Sequence, residues 1–254
     1  MYTSSKQWLL RTLLAIRDVL NPFFRFHEMS ILCYHSISDS AVDTAVKRSV
    51  FESHLKMLKE SGAEFISVEQ LAEWLDGKAA LPRRGVVLTF DDGYYDFLTD
   101  ALPLLQKYRA PACVFVVGNE SEARIKLGNT IALLPPEEIT TLTQHVLVTV
   151  GYHSYSHANF LKSDLDDLER ECAPLFHARY FAYPGGNYTP DSVRTVAQME
   201  YRAAFSIKPD LLTQHSDRYL LPRTVVLGST PLWAVRAATT RATSWYRLFR
   251  RHLQ

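Results

Sequence analysis

The sequence predicts an α/β fold: a parallel sheet with helices outside it, open or closed as a barrel. Three observations predict it. Short apolar runs alternate with helical stretches from Ser30 to Leu227. No internal repeat or low-complexity tract interrupts that alternation. Apolar residues make up 47% of the 254 residues and charged ones 22%, enough for one sizeable core in a single domain.

The elements follow in order. Ser5 to Leu20 reads as an amphipathic helix, with Trp8, Leu9, Thr12, Leu13, Ile16, Val19 and Leu20 on one face and Asn21-Pro22 as its stop. Ser30–Tyr34 is a short buried strand. Val50–Ser61 is a helix stopped by Gly62, Glu64–Val68 a strand and Glu69–Leu75 a helix. Gly85–Phe90 is a strongly apolar strand. Tyr95–Tyr108 is a helix kinked at Pro103, and Ala112–Val117 a strand. Glu120–Leu134 is less regular and reads as an excursion. Pro136–Gln144 is a helix, Val146–Val150 a strand, Leu165–Cys172 a helix, Ala178–Tyr183 a strand and Pro190–Met199 a helix. Arg202–Ile207 and Thr224–Leu227 are the last strands.

A net charge of +1 argues against nucleic-acid binding by bulk charge. The charge is unevenly spread. Residues 1–27 carry +3 (Lys6, Arg11, Arg17 and Arg25 against Asp18). Residues 232–254, a basic C-terminal helix by this reading, carry +5, and the body between is −7. Basic ends with Trp8, Trp233, Trp245, Tyr246 and Phe249 point to a peripheral contact with an anionic membrane surface. Lys6, Arg11 and Arg17 are the cations available on the first helix. That helix could instead cover the bottom of the barrel. The apolar stretch near the start is broken by Arg11, Arg17 and Asp18, so neither a cleavable signal nor a spanning helix is expected. Cys33, Cys113 and Cys172, an odd set without C-x-x-C spacing, read as buried free thiols suited to a reducing, cytoplasmic compartment.

In parallel α/β folds chemistry gathers where strands end. Asp91-Asp92-Gly93 follows the strand ending at Phe90. Two carboxylates leaving a buried strand are costly unless a cation or donors compensate them. Taken alone, the pair also reads as a helix cap, with Asp92 before Tyr94. His153 and His157 stand four residues apart, which on a helical turn puts two imidazoles on one face. One Asp and two His would leave a coordination position for water, as hydrolytic zinc sites require. Tyr183-Pro184-Gly185-Gly186 breaks an apolar strand. It is either a plain loop or one whose bare backbone offers an N–H to a developing oxyanion. His35 ends a fourth strand.

Together, Thr-Phe-Asp-Asp-Gly-Tyr at 89–94, His-Ser-Tyr-Ser-His at 153–157 and Phe-Ala-Tyr-Pro-Gly-Gly at 181–186 resemble the three signature motifs of the polysaccharide deacetylase family, carbohydrate esterase family four. Ile-Leu-Cys-Tyr-His-Ser-Ile at 31–37 and Leu-Pro-Arg at 221–223 resemble its poly-N-acetylglucosamine branch. The resemblance covers roughly residues 30–227, within an expected catalytic domain at 28–231. It implies a distorted (β/α) barrel with fewer than eight strands. It makes Asp92, His153 and His157 the ligands of a divalent metal: zinc first, with cobalt and nickel as alternatives. It makes Asp91 the general base, and it lets Gly185 N–H and the metal receive the oxyanion. The family's third-motif Arg is replaced by Ala182, and Arg223 is the candidate substitute. The usual late Leu-x-His is Val226-Leu227-Gly228, so the general acid falls to His35, expected across the site from Asp91.

The implied activity is removal of an N-acyl group, acetyl first, from an amino sugar. The substrate is lipid-linked at the cytoplasmic membrane face or, alternatively, a cell-surface poly-N-acetylglucosamine or peptidoglycan-type polymer. A non-catalytic carbohydrate-binding relative is the reading from a different class. His54, His145, His177, His215 and His252 add nothing to the constellation.

Overall fold

The computed structural model describes residues 4–24, 28–208, 210–240 and 242. Seven parallel strands form one sheet in the order β7-β6-β5-β4-β3-β1-β8, with a two-residue β2 appended to β3. The strands are β1 (Glu28–Tyr34), β2 (Glu64–Phe65), β3 (Arg84–Phe90), β4 (Ala112–Val116), β5 (Val148–Tyr152), β6 (Tyr180–Ala182), β7 (Ala203–Phe205) and β8 (Thr224–Val225). The helices are α1 (Ser4–Phe24), α2 (Arg48–Glu60), α3 (Val68–Leu75), α4 (Leu102–Tyr108), α5 (Glu120–Leu127), α6 (Pro136–Thr143), α7 (Leu165–Cys172), α8 (Pro190–Gln198) and α9 (Leu232–Ala238).

This is a distorted (β/α) barrel of the expected kind. The segment 221–225 draws its edges together. Leu221 bridges Phe205 of β7, and three residues later Thr224 and Val225 pair with Leu32 and Cys33 of β1. Arg223 lies between those contacts and is fully buried. β1 and β3 run side by side in register from Glu28↔Arg84 to Tyr34↔Phe90, so His35 and Asp91 leave neighbouring strands at the same end.

Three elements depart from expectation. Glu120–Leu127 of the supposed excursion is helical, capped by the Asn119 side chain and ended at left-handed Gly128. Only Ala123 of α5 is buried, so no apolar period marked it. The kink expected at Pro103 is a π-helical turn at Phe97–Ala101 just before it. α1 continues two residues past Pro22, since a proline there removes a single N–H from the ladder.

The orientation of α1 is a further correction. Leu10, Leu13, Leu14 and Arg17 face inward, whereas Trp8 (68% exposed), Ile16 (44%) and Val19 (67%) of the expected stripe face outward. Arg17 explains the rotation. Its guanidinium is buried on Glu28, the first residue of β1, with Nε 2.9 Å from Oε1 and a second N–H on Oε2. Arg84, the first residue of β3, approaches the same carboxylate at 3.2 Å. Arg17 is thus committed to the fold and unavailable to a headgroup. α1 covers the end of the barrel opposite His35 and Asp91, and it packs against α9. The remainder of the expected C-terminal helix, 243–254, lies outside the described residues.

Cys33, Cys113 and Cys172 are free and buried. His54 is a core histidine. Its Nδ1 lies 3.2 Å from the Tyr34 hydroxyl, and burial pushes it down to about 4. No helix among the described residues is long and apolar enough to cross a membrane.

Candidate metal and hydrolytic site

The site is built at the downstream ends of β1, β3, β5 and β6. After Phe90 the chain reverses sharply: Asp92 and Gly93 both have φ of 72°. Gly93 is required there, because an added Cβ would sit 2.9 Å from Val116 Cγ1. The turn separates two adjacent acids into two environments.

Asp92 faces the histidines. Its Oδ1 lies 3.4 Å from His153 Nε2 and 3.4 Å from His157 Nε2. For ligands about 2.1 Å from a tetrahedral ion, neighbouring ligand atoms sit about 3.4 Å apart. Asp92 Oδ1 is also buried with no hydrogen-bond partner, a costly state that a cation would relieve. His153 Nδ1 donates to the Ala182 carbonyl at 2.8 Å, which selects the tautomer with a free lone pair on Nε2. The three residues therefore fit a divalent ion through two nitrogens and one carboxylate. Burial pushes the Asp92 carboxyl up, but the two imidazoles and His35 pull it well below the ordinary range.

Asp91 faces the barrel interior. Arg223 grips it with both fork nitrogens, Nη1 to Oδ1 at 2.6 Å and Nη2 to Oδ2 at 2.7 Å. The guanidinium is fixed in turn by the Ser206 carbonyl at 3.0 Å and Thr89 Oγ1 at 3.2 Å, between the rings of Phe115 and Phe205. Burial raises the Asp91 carboxyl, and Arg223 and His153 more than offset it, leaving Asp91 below its ordinary value. Asp91 Oδ2 stands 3.9 Å from His153 Nε2, next to the ligand atoms.

His35 is half-buried, and its Nδ1 has no hydrogen-bond partner. An imidazole nitrogen lies within 4.8 Å of an Asp91 carboxylate oxygen, nearer than a place across the site suggests. Two hydrogen bonds through one water span such a gap. Cys33 Sγ donates to Asp91 Oδ2 at 3.4 Å, a contact not foreseen for a thiol read as plain core. Cys33, His35 and Asp91 form a second group of potential metal donors, but the Arg223 guanidinium in bidentate contact with Asp91 already supplies the positive charge that an ion would bring there.

Pro184, Gly185 and Gly186 make a tight 3-10 turn with Gly185 at φ 58°. Gly186 N–H goes to the Tyr183 carbonyl at 2.8 Å and Asn187 N–H to Pro184 at 3.1 Å. Gly185 N–H has no acceptor among the described residues. Gly185 lines an open cleft of about 580 Å³ with His157, Pro184, Asn187 and Lys126. The Tyr183 ring turns away into the aromatic core against Phe160, Phe181 and Tyr188, so only its backbone serves the loop.

Residues 78–204 match the family described as polysaccharide deacetylase. The chain belongs to the polysaccharide deacetylase family. Members are hydrolases of linear amide C–N bonds that use a divalent metal. A poly-beta-1,6-N-acetyl-D-glucosamine N-deacetylase of Staphylococcus aureus is 26% identical over 212 residues, 78% of this chain and 73% of that protein. Two solved structures share the fold: IcaB from Ammonifex degensii (TM-score 0.71, 24% identity) and the Streptococcus pyogenes deacetylase PplD in complex with acetate (TM-score 0.71, 22% identity). Each alignment covers 84% of this chain and 98% of the other. The sequence likeness to the Staphylococcus aureus protein supports the poly-N-acetylglucosamine deacetylase-like branch.

Proposed function

We propose that this chain is a metal-dependent N-deacetylase of a β-linked N-acetylglucosamine polymer. The observation that carries the reading is Asp92 Oδ1, orphaned and equidistant from two imidazole nitrogens, beside an Asp91 held ionised by Arg223. Asp92, His153 and His157 would hold the ion. When bound, it would supply Lewis acidity, lowering the pKa of water and polarising the acetyl carbonyl. Zinc is the proposed metal, and cobalt and nickel suit the same donors.

The chain's own residues do the rest. Asp91 accepts a proton from the attacking water as oxygen bonds to the carbonyl carbon. Gly185 N–H receives the developing oxyanion. His35 protonates the amine as the C–N bond breaks, because an amide anion does not leave. Arg223 takes the place of the arginine absent at Ala182. A purified protein should release acetate from a β-1,6-linked N-acetylglucosamine oligomer, lose that activity to a chelator, and regain it with zinc, cobalt or nickel. Metal uptake without acetate release from any N-acetyl sugar would make it a binding protein.

The lipid-linked reading rests on α1. Its outward row of Trp8, Ile16 and Val19, on a helix packed against α9, together with the basic and aromatic composition of residues 232–254, supports a peripheral contact with an anionic membrane. That row lies at the far end of β1 from the cleft, about 20 Å away along seven residues of strand. A bound protein would thus turn its cleft away from the headgroups, which suits an extended sugar chain better than a sugar at headgroup level. Sedimentation with phosphatidylglycerol vesicles should be strong at low salt and weaker at high salt. A protein left in the supernatant at low salt removes the membrane contact. Acetate release from a lipid-linked N-acetyl sugar in preference to the oligomer would restore the lipid-linked substrate.

A further inference from the structure

The two histidines of the metal site are held in different ways. His153 is anchored through its second nitrogen on Ala182. His157 Nδ1 has no hydrogen-bond partner among the described residues, so the direction of that ring comes from its backbone. The backbone there is unusual, with Ser154 at φ 65° and His157 at φ 56°. Left-handed positions at non-glycine residues are strained and persist only where the surroundings over-determine them.

Glu171 on α7 supplies that over-determination. It is 4% exposed, and its carboxylate takes both polar hydrogens of Ser156, the residue before His157. The Ser156 backbone N–H donates to Oε2 at 2.8 Å and the hydroxyl donates to Oε1. The Glu171 carbonyl accepts Tyr155 N–H at 3.0 Å. From the other side Lys126 of α5 donates to Ser156 Oγ. Lys126, Ser156 and Glu171 thus form a chain that ties α5 to α7 through the ligand loop. A buried carboxylate is costly, and both oxygens of this one accept from Ser156, while the main-chain carbonyl of the same residue holds Tyr155.

We propose that Glu171 is a positioning residue for metal binding, fixing residues 154–157 so that His157 Nε2 points at Asp92. The proposal rests on the metal-site reading above. Cobalt titration of the metal-free protein tests it, followed by d–d absorption, with the melting temperature of each metal-free variant as control. Glu171→Gln keeps the volume but only one acceptor oxygen, so it cannot accept from the Ser156 N–H and hydroxyl together; it should weaken cobalt binding about 10–100-fold. Metal-free melting should barely move, and saturating cobalt should restore turnover. Ser156→Ala, which removes the hydroxyl alone, should weaken binding in the same direction, and it decides the matter if Glu171→Gln does not fold. Wild-type cobalt affinity in the folded variants would overturn the proposal. A wild-type protein that takes up no cobalt would overturn the metal-site reading beneath it.

Discussion

Asp91→Asn is expected to lower turnover about 10²–10⁴-fold while leaving the bound metal in place. Asp92→Asn, one residue along, should instead lose the metal. The reversal at Asp92 and Gly93 makes the difference: one carboxylate points at Arg223 and the other at the two imidazoles. His35→Ala should lose as much activity as Asp91→Asn on the N-acetyl sugar, but for another reason. An aryl acetate ester has a leaving group that needs no proton. On such a substrate His35→Ala should recover most of its rate and Asp91→Asn should not. Equal losses for both variants on both substrates would remove the division into base and acid.

Much of this site was legible because strand ends are easy to find and chemistry in parallel α/β folds collects there. The Phe90 boundary, the paired histidines and the glycine turn each followed an apolar run, and the fold brings all three to one end of the barrel. What stayed hidden was decided by side chains whose partners are distant in sequence. Arg17 sits on a helical stretch with several apolar faces, and only its pairing with Glu28 selects the inward one. Cys33 looked like core and is core, yet it also touches Asp91. Glu171 did leave a signal. Leu168, Glu171 and Cys172 share one helical face at spacings of three and four, and all three are buried. An acid on the apolar face of a helix marks a carboxylate with a buried partner. α5 was announced only by its ends, Asn119 and Gly128.

Arg223→Met should be the most damaging single change to the folded protein, at about 3–5 kcal/mol measured by urea denaturation. The guanidinium is 0% exposed and is the counter-charge in bidentate contact with an Asp91 that is 3% exposed. Removing it leaves a buried carboxylate with, among the described residues, only Cys33 as a side-chain hydrogen-bond donor. Two consequences separate this from ordinary loss of packing. The pair need not be stabilising as a pair, since taking both charges out of water offsets much of their attraction. The double variant Asp91→Asn/Arg223→Met should therefore regain part of the loss, with a coupling of about 0.5–3 kcal/mol. The other consequence is in the pH profile. Arg223 lowers the Asp91 carboxyl against the upward push of burial, so its removal raises that carboxyl. The base works only when ionised. The acidic limb of kcat/KM should thus move to higher pH in Arg223→Met, with less movement in Arg223→Lys, which keeps the charge and loses the fork. Arg223→Met with wild-type stability and an unmoved acidic limb would show that Asp91 is held by something other than this arginine.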